Sequence, residues 1–244
     1  MPKQRMPWGQ ALRQRDRQPE VMDQPGLDPT EHARALRGLR RINGISDCSS
    51  GLLRALQALR VSDVSQPISV LELACGGGDI AIDLDRMARR SGLMLEIQAC
   101  DLNPEAIRLA RGNAQRRGGQ VEFSVADALA EPDRQQVDVV YCTLFAHHLS
   151  DDAVVTLFRV MAARAKRLVI VDDLIRSRLG YAMAWAGTRL LSRSWVVHTD
   201  GPLSVRAAFT PEELLKLAER AGLSGAELQR FWPERQRLIW SPPL

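Results

Sequence analysis

Apolar and polar positions follow two rhythms along this chain. Apolar, strand-like runs occupy Ile68–Leu73, Leu95–Cys100, Val121–Val125, Val137–Thr143 and Leu168–Val171. Between them, apolar residues recur at helical spacing over Ile80–Arg90, Pro104–Arg117 and Asp151–Arg164. Strands alternating with helices predict βαβ units, hence a parallel sheet with helices on both faces. The helix boundaries carry their own signals. Asn103 precedes Pro104 and Gly118-Gly119 follows Arg117, an N-cap and a stop. Ser150 precedes the acids Asp151-Asp152, which suit a first helical turn.

The rhythm changes at both ends. Residues 1–27 scatter Pro2, Pro7, Pro19 and Pro25 among Arg and Gln and read as a loosely ordered arm. Asp28-Pro29 starts a helix with its stripe at Leu36, Leu39 and Ile42, and Gly51–Leu59 is a second; residues 28–65 thus form a helical cap. Ser62 to Gln66 leads into the first strand. Residues 66–244 form the core. Within them 176–197 read as one apolar helical run containing Tyr181, Met183, Trp185, Leu190 and Trp195. Thr210-Pro211-Glu212-Glu213 is a capping box for a helix ending at Gly222. Ala226–Trp232 and Gln236–Trp240, joined around Pro233, close the sheet edge as antiparallel strands.

Composition narrows the class. The chain has 244 residues, 45% hydrophobic and 25% charged, enough for one sizeable domain with a short appendage. The net charge of +4 comes from scattered arginines, which read as solvated helix faces, and no nucleic-acid-binding pattern accompanies them. Cys48, Cys75, Cys100 and Cys142 are isolated, as buried thiols in a reducing cytoplasm are. No apolar h-region opens the chain and no apolar stretch approaches a membrane span.

The densest chemistry lies at residues 70–82. A buried strand stops at Cys75-Gly76-Gly77-Gly78 and a helix begins at once. Such a turn brings unpaired N–H groups of a helix start against a ligand, with glycine permitting the close approach. Three acids occupy neighbouring strand ends: Glu72, Asp101 and Asp127. In a doubly wound sheet those ends meet at one carboxyl edge, where ligands bind. There one acid suits a ligand ammonium, one a pair of ribose hydroxyls and one an adenine amino group. Gly76 to Ala81 also satisfies a dinucleotide fingerprint. The Tyr-x-x-x-Lys pair of a dehydrogenase is missing.

Taken together, Leu71-Glu72-Leu73-Ala74-Cys75-Gly76-Gly77-Gly78, Cys100-Asp101-Leu102-Asn103-Pro104, Ala126-Asp127-Ala128, Val137 through Leu144 and Phe145-Ala146-His147-His148-Leu149 resemble the motifs of class I S-adenosylmethionine-dependent methyltransferases. The resemblance covers about residues 66–175 by motif and is nearest to the small-molecule branch that includes quinone-biosynthesis enzymes. Val197-His198-Thr199-Asp200-Gly201-Pro202 through Arg206-Ala207-Ala208-Phe209 resembles methyltransferases of phenolic and polyketide pathways. It implies a Rossmann-like, doubly wound, seven-stranded α/β sheet, mostly parallel with an antiparallel C-terminal strand. N-terminal helices and a lid over 176–209 complete it. It implies S-adenosylmethionine held by Glu72, Ala74, Gly76, Gly78, Asp101, Leu102, Asp127, Ala128 and Cys142.

The expected reaction is methyl transfer to a small, hydrophobic aromatic acceptor, on oxygen. Carbon methylation of a quinone precursor and cofactor binding without turnover are the alternatives. A phenol has a pKa of about 10, so a histidine can take its proton as the methyl moves. His147, His148 and His198 are the candidates; His32 reads as a surface residue. Trp185, Arg206 and Phe145 are candidate acceptor contacts. Asp172-Asp173 suggests a metal pair, but the rest of a ligand cluster is not evident, so no metal is expected. The expected partner is the acceptor alone, in the cytoplasm, without nucleic acid or membrane span; homodimerisation is left open.

Overall fold

A computed structural model describes residues 12–22, 24, 26–45, 48–59, 66–131 and 135–243. The expected lead-in at 62–65 and the first residues of the arm lie outside these. Helices α1 (Pro29–Ile45) and α2 (Cys48–Ala58) precede an alternating core: β1 (Ile68–Leu73), α3 (Asp79–Arg90), β2 (Leu95–Asp101), α4 (Pro104–Arg117), β3 (Val121–Val125), β4 (Val137–Thr143), α5 (Asp151–Arg164) and β5 (Ala165–Leu174). Then come α6 (Arg178–Leu191), α7 (Trp195–Ala207), α8 (Pro211–Ala221), β6 (Glu227–Phe231) and β7 (Arg235–Trp240). The seven strands lie in the order β3-β2-β1-β4-β5-β7-β6. β7 runs antiparallel to both β5 and β6, and the other pairs are parallel.

Alternation along the strands explains the two-sided core. Leu71, Leu73, Val140 and Cys142 pack with Val154, Phe158, Leu214 and Leu217 of α5 and α8. The intervening Ile68, Val70, Val139 and Tyr141 pack with Leu52, Ile82, Leu84 and Ile107 of α2, α3 and α4. Both faces of a central parallel sheet are covered, so both residue parities are apolar. The capping signals act as their chemistry requires. Asn103 accepts from the Glu105 N–H, Ser150 from Ala153, and Thr210 and Glu213 form a reciprocal capping box. Asp28 accepts from the N–H groups of Thr30 and Glu31.

Two segments depart from expectation. The run 176–197 is two helices, because the chain turns at Ser192–Ser194 between α6 and α7. The Ser194 and Ser192 contacts and the His198 ring close that corner. The second departure is the arm. Residues 12–22 are strapped to the core by polar groups, with Val21 and Met22 packing against Ala35, Val196 and Val197. Arg176 donates to the Leu12 carbonyl, the Asp16 N–H donates to the Arg206 carbonyl, and the Val21 and Met22 N–H groups donate to the buried Asp200 carboxylate. Among the described residues no helix is long and apolar enough to cross a membrane.

Candidate functional site

The glycine turn sits at the carboxyl edge between β1 and α3. Gly76 (φ 52°) and Gly78 (φ 72°) both occupy the left-handed region. At Gly78 a Cβ would lie 2.7 Å from the Phe123 ring, so only glycine fits. At Gly76 nothing lies within 4 Å of that position, which leaves the main chain open to a ligand. No side chain caps α3 at Gly78, which leaves the helix start facing the turn. Two non-glycine residues share the left-handed region at the ends of adjacent strands: Ala74 (φ 55°) after β1 and Leu144 (φ 53°) after β4. Such conformations persist where surrounding structure imposes them, commonly at ligand sites.

The acids surround this turn. Asp101 accepts from the Gly76 N–H (2.8 Å) and from the Asn103 N–H (2.9 Å), fixing the loop while its oxygens keep further acceptor capacity. Leu102 beside it is 68% exposed, an apolar side chain free to cover a flat ring. Asp127 is exposed and accepts from the Leu129 N–H. Glu72 lies beneath the loop and is almost wholly buried. Thr143 Oγ1 donates to its Oε1 (3.3 Å), and its Oε2 has no hydrogen-bond partner. Burial pushes its carboxyl up to about 8, with the Tyr141 and Thr143 hydroxyls opposing the shift. The side chains of Cys142 and Ala128 belong to the core. An open turn, an uncapped helix start and an orphaned carboxyl oxygen fit a ligand carrying carboxylate, ammonium and ribose groups.

Beyond β4 and β5 lies a cavity of about 330 Å³. Its walls come from α1 (Leu39, Ile42), α6 (Met183, Ala184, Gly187), the strand ends at Leu144 and Leu174, and the β6–β7 turn at Trp232–Arg235. The walls are mostly apolar. Its polar lining includes Glu20, His147 and His148 on the floor, with Asn43, Ser204, Glu234 and Arg235 around them. His147 and His148 form a short 3₁₀ turn after β4, with ring centroids 4.3 Å apart. The buried Asp173 at the end of β5 grips His147 twice. One oxygen lies 2.6 Å from Nδ1 and the other accepts the His147 backbone N–H at 2.9 Å. Burial opposes the charge on Asp173, but the His147 ring and the N–H groups of Leu174 and His147 outweigh it and hold the carboxyl below its usual range. An ionised Asp173 places the proton on Nδ1 and leaves the Nε2 lone pair toward Glu20, 3.8 Å away. Ligand atoms of Glu20, His147 and His148 all lie within 4.8 Å of one another, so this trio is also a group able to hold a metal ion.

The sequence-derived acceptor contacts distribute differently from expectation. His147 and His148 reach the cavity; His198, Trp185, Arg206 and Phe145 are not on its wall. His198 is bonded through Nε2 to the Ser192 carbonyl (2.8 Å) and closes the α6–α7 corner. Trp185 is half-exposed beneath the Arg189 guanidinium, since residues 184, 187, 188 and 191 share the inward face of α6. Arg206 pairs with Asp16 of the arm. Phe145 packs against the core. Asp172 is engaged by Arg237 through two hydrogen bonds of 2.6 Å, which accounts for one of the two acids considered for a metal. The sequence does not mark Glu20, and it shows Asp173 only as half of an acidic pair at a strand end. The Asp172-Asp173 pair was visible there, but its pairing with a histidine 26 positions away depends on the β4–β5 register, and Glu20 carried no motif.

Known proteins give the same picture. A family model described as a methyltransferase domain matches residues 70–167. The ubiquinone biosynthesis O-methyltransferase of Aeromonas salmonicida is 27% identical over 156 residues, 63% of this chain and 62% of its own length. The protein of the same name from Xanthomonas axonopodis pv. citri is 26% identical over 197 residues, 76% of this chain and 79% of its own length. Among solved structures, the plantazolicin methyltransferase BpumL superposes with a TM-score of 0.66 at 13% identity, covering 88% of this chain and 92% of that one. Magnesium protoporphyrin IX methyltransferase from Synechocystis PCC 6803, with bound S-adenosylhomocysteine, superposes with a TM-score of 0.58 at 15% identity, covering 91% of both chains. These structural likenesses establish the fold. The matched model assigns a methyltransferase domain to residues 70–167, and the chain is similar in sequence to the named O-methyltransferases.

Proposed function

We propose that the protein transfers a methyl group from S-adenosylmethionine to a hydroxyl oxygen of a small, hydrophobic aromatic molecule of phenolic or polyketide type. The observation that carries this reading is His147, held by the buried Asp173 and lining a mostly apolar cavity. S-adenosylmethionine, when bound, supplies the electrophilic methyl group. The main chain at Gly76–Gly78 and the carboxylates of Asp101 and Asp127 are assigned to hold it, with Glu72 beneath. Two of the curated relatives are named as O-methyltransferases of ubiquinone biosynthesis, which favours oxygen over carbon.

The chain's own residues then have three tasks. The cavity walls desolvate and orient an aromatic ring. His147 Nε2 takes the hydroxyl proton as the oxygen becomes nucleophilic. Asp173 keeps the imidazole in the required tautomer and compensates the charge that forms. This division resembles other histidine–carboxylate bases in its logic, though no covalent intermediate is involved.

Replacing His147 with Ala tests it. With a phenolic acceptor, kcat should fall by about 10²-fold or more, the scale of general-base catalysis. Cofactor affinity by calorimetry should change little, because the glycine turn lies outside the substitution. Near-full kcat in this variant would remove the histidine from the mechanism.

A further inference from the structure

The N-terminal arm brings a second carboxylate to the histidine. Glu20 lies on the cavity floor with Oε1 3.8 Å from His147 Nε2, although 127 positions separate the two in sequence. Its side chain is only 12% exposed. Ser204 of α7 donates to the same carboxylate oxygen (2.5 Å). One residue further on, the Val21 and Met22 N–H groups are held at 2.8 and 3.0 Å by Asp200. On the other side, Arg15 donates to the carbonyls of His147 (2.9 Å), Leu149 (2.6 Å) and Ala207 (2.5 Å). The arm is thus bonded to the His147 turn itself at one point and to α7 at several. These anchors fix where Glu20 stands.

We propose that Glu20 is a positioning residue for the base: it holds the imidazolium formed on His147 when the acceptor hydroxyl gives up its proton. The inference rests on the reading of His147 as that base. Before proton transfer, Nε2 is a lone pair and Glu20 offers it no hydrogen bond. After transfer, Nε2–H is a donor facing a carboxylate. The two groups, 3.8 Å apart, then form an ion pair that exists only once the proton has moved. Asp173 serves Nδ1 throughout, so the imidazolium lies between two carboxylates. The proton passes from acceptor oxygen to Nε2, and the oxygen lone pair forms the new bond to the methyl carbon. The other titratable groups nearby include His148, whose tilted ring lies 4.3 Å from that of His147, Arg15, bonded to the His147 carbonyl, and Glu234 and Arg235 on the cavity wall.

The test compares two acceptors of similar shape: a simple phenol, protonated at the assay pH, and a nitrophenol already ionised there. Methyl transfer is measured for the wild type, Glu20→Gln, Glu20→Asp and His147→Ala, with chelator present so that no cation occupies the trio. Glu20→Gln should lose about tenfold or more in kcat on the phenol, the scale of a mostly buried ion pair with the imidazolium. On the nitrophenol it should lose less than about twofold. Glu20→Asp, which keeps the charge, should recover part of the loss, with melting temperature and cofactor affinity at wild-type values. Equal losses on both acceptors would mean that Glu20 only shapes the cavity, and no loss on either would mean it does nothing; both overturn the proposal. If His147→Ala shows the acidity-dependent loss and Glu20→Gln does not, the base stands and this inference falls. If neither shows it, the base reading falls as well.

Discussion

Glu72 is a carboxyl strongly altered by its surroundings. Its position beneath the glycine turn places it on the side of β1 that packs with α2 and α3, beside Ala99 and Tyr141 on the flanking strands. Burial therefore favours the protonated form and pushes its carboxyl up to about 8 from an ordinary value of 4.5. Below about pH 4.5 it is protonated in both folded and unfolded chains and contributes nothing to pH dependence. Between about 4.5 and 8 the folded chain keeps a proton that the unfolded chain releases, so stability falls as pH rises; above 8 the penalty is constant. Glu72→Gln should remove this slope. Its melting temperature should gain on the wild type between pH 5 and pH 8, by the equivalent of a few kcal/mol at most. Parallel melting curves for the two proteins over that range would show that Glu72 ionises normally in the folded chain.

The arm shows what elements add that residues alone do not. It is described as loose by its composition, yet residues 12–22 cross from Arg176 to Asp200 by way of the His147 turn. Arg15 is the central rivet: three carbonyl bonds, an ion pair with Asp151 and a guanidinium 3.6 Å over the Phe209 ring. Arg15→Ala should cost about 2 kcal/mol, since it leaves partly buried carbonyls without a charged donor. It should also raise the acceptor KM while leaving cofactor affinity intact, because the arm touches the cavity floor and not the glycine turn. A loss of cofactor affinity as large as the loss of acceptor affinity would contradict that division.

What was legible in sequence follows from the range of the forces involved. Strands β1 to β5 and the glycine turn announce themselves because apolar parity, glycine and caps are local signals. Asn103, Ser150 and Thr210 each mark a helix start within three residues of the group they bond. The cavity was legible in outline only. Its outer wall was expected from one lid helix, but the break at Ser192–Ser194 folds that run back, so Ala184 and Gly187 face inward while Trp185 and His198 do not. Aromatic size drew attention to Trp185; helical phase decides which face it takes. The Asp173–His147 and Glu20–His147 encounters depend on strand register and on polar anchors far along the chain. No periodicity or motif encodes them.

For the molecule as a whole, the sheet divides the work. The edge above β1, β2 and β3 carries the open glycine turn with Asp101 and Asp127. The edge above β4 and β5 carries the histidine, its carboxylate and the apolar cavity roofed by α1, α6 and α7. Leu144, in its left-handed conformation, stands where these two halves meet and lines the cavity. The central claim is that a methyl group crosses this boundary to an oxygen. It is tested by incubating the protein with methyl-labelled S-adenosylmethionine and a panel of small phenolic and polyketide-type acceptors, then reading the product by mass spectrometry and NMR. The account predicts label on a phenolic oxygen, seen as a methoxy resonance, and its loss in His147→Ala. Label on ring carbon, or cofactor binding with no transfer to any member of the panel, would contradict it.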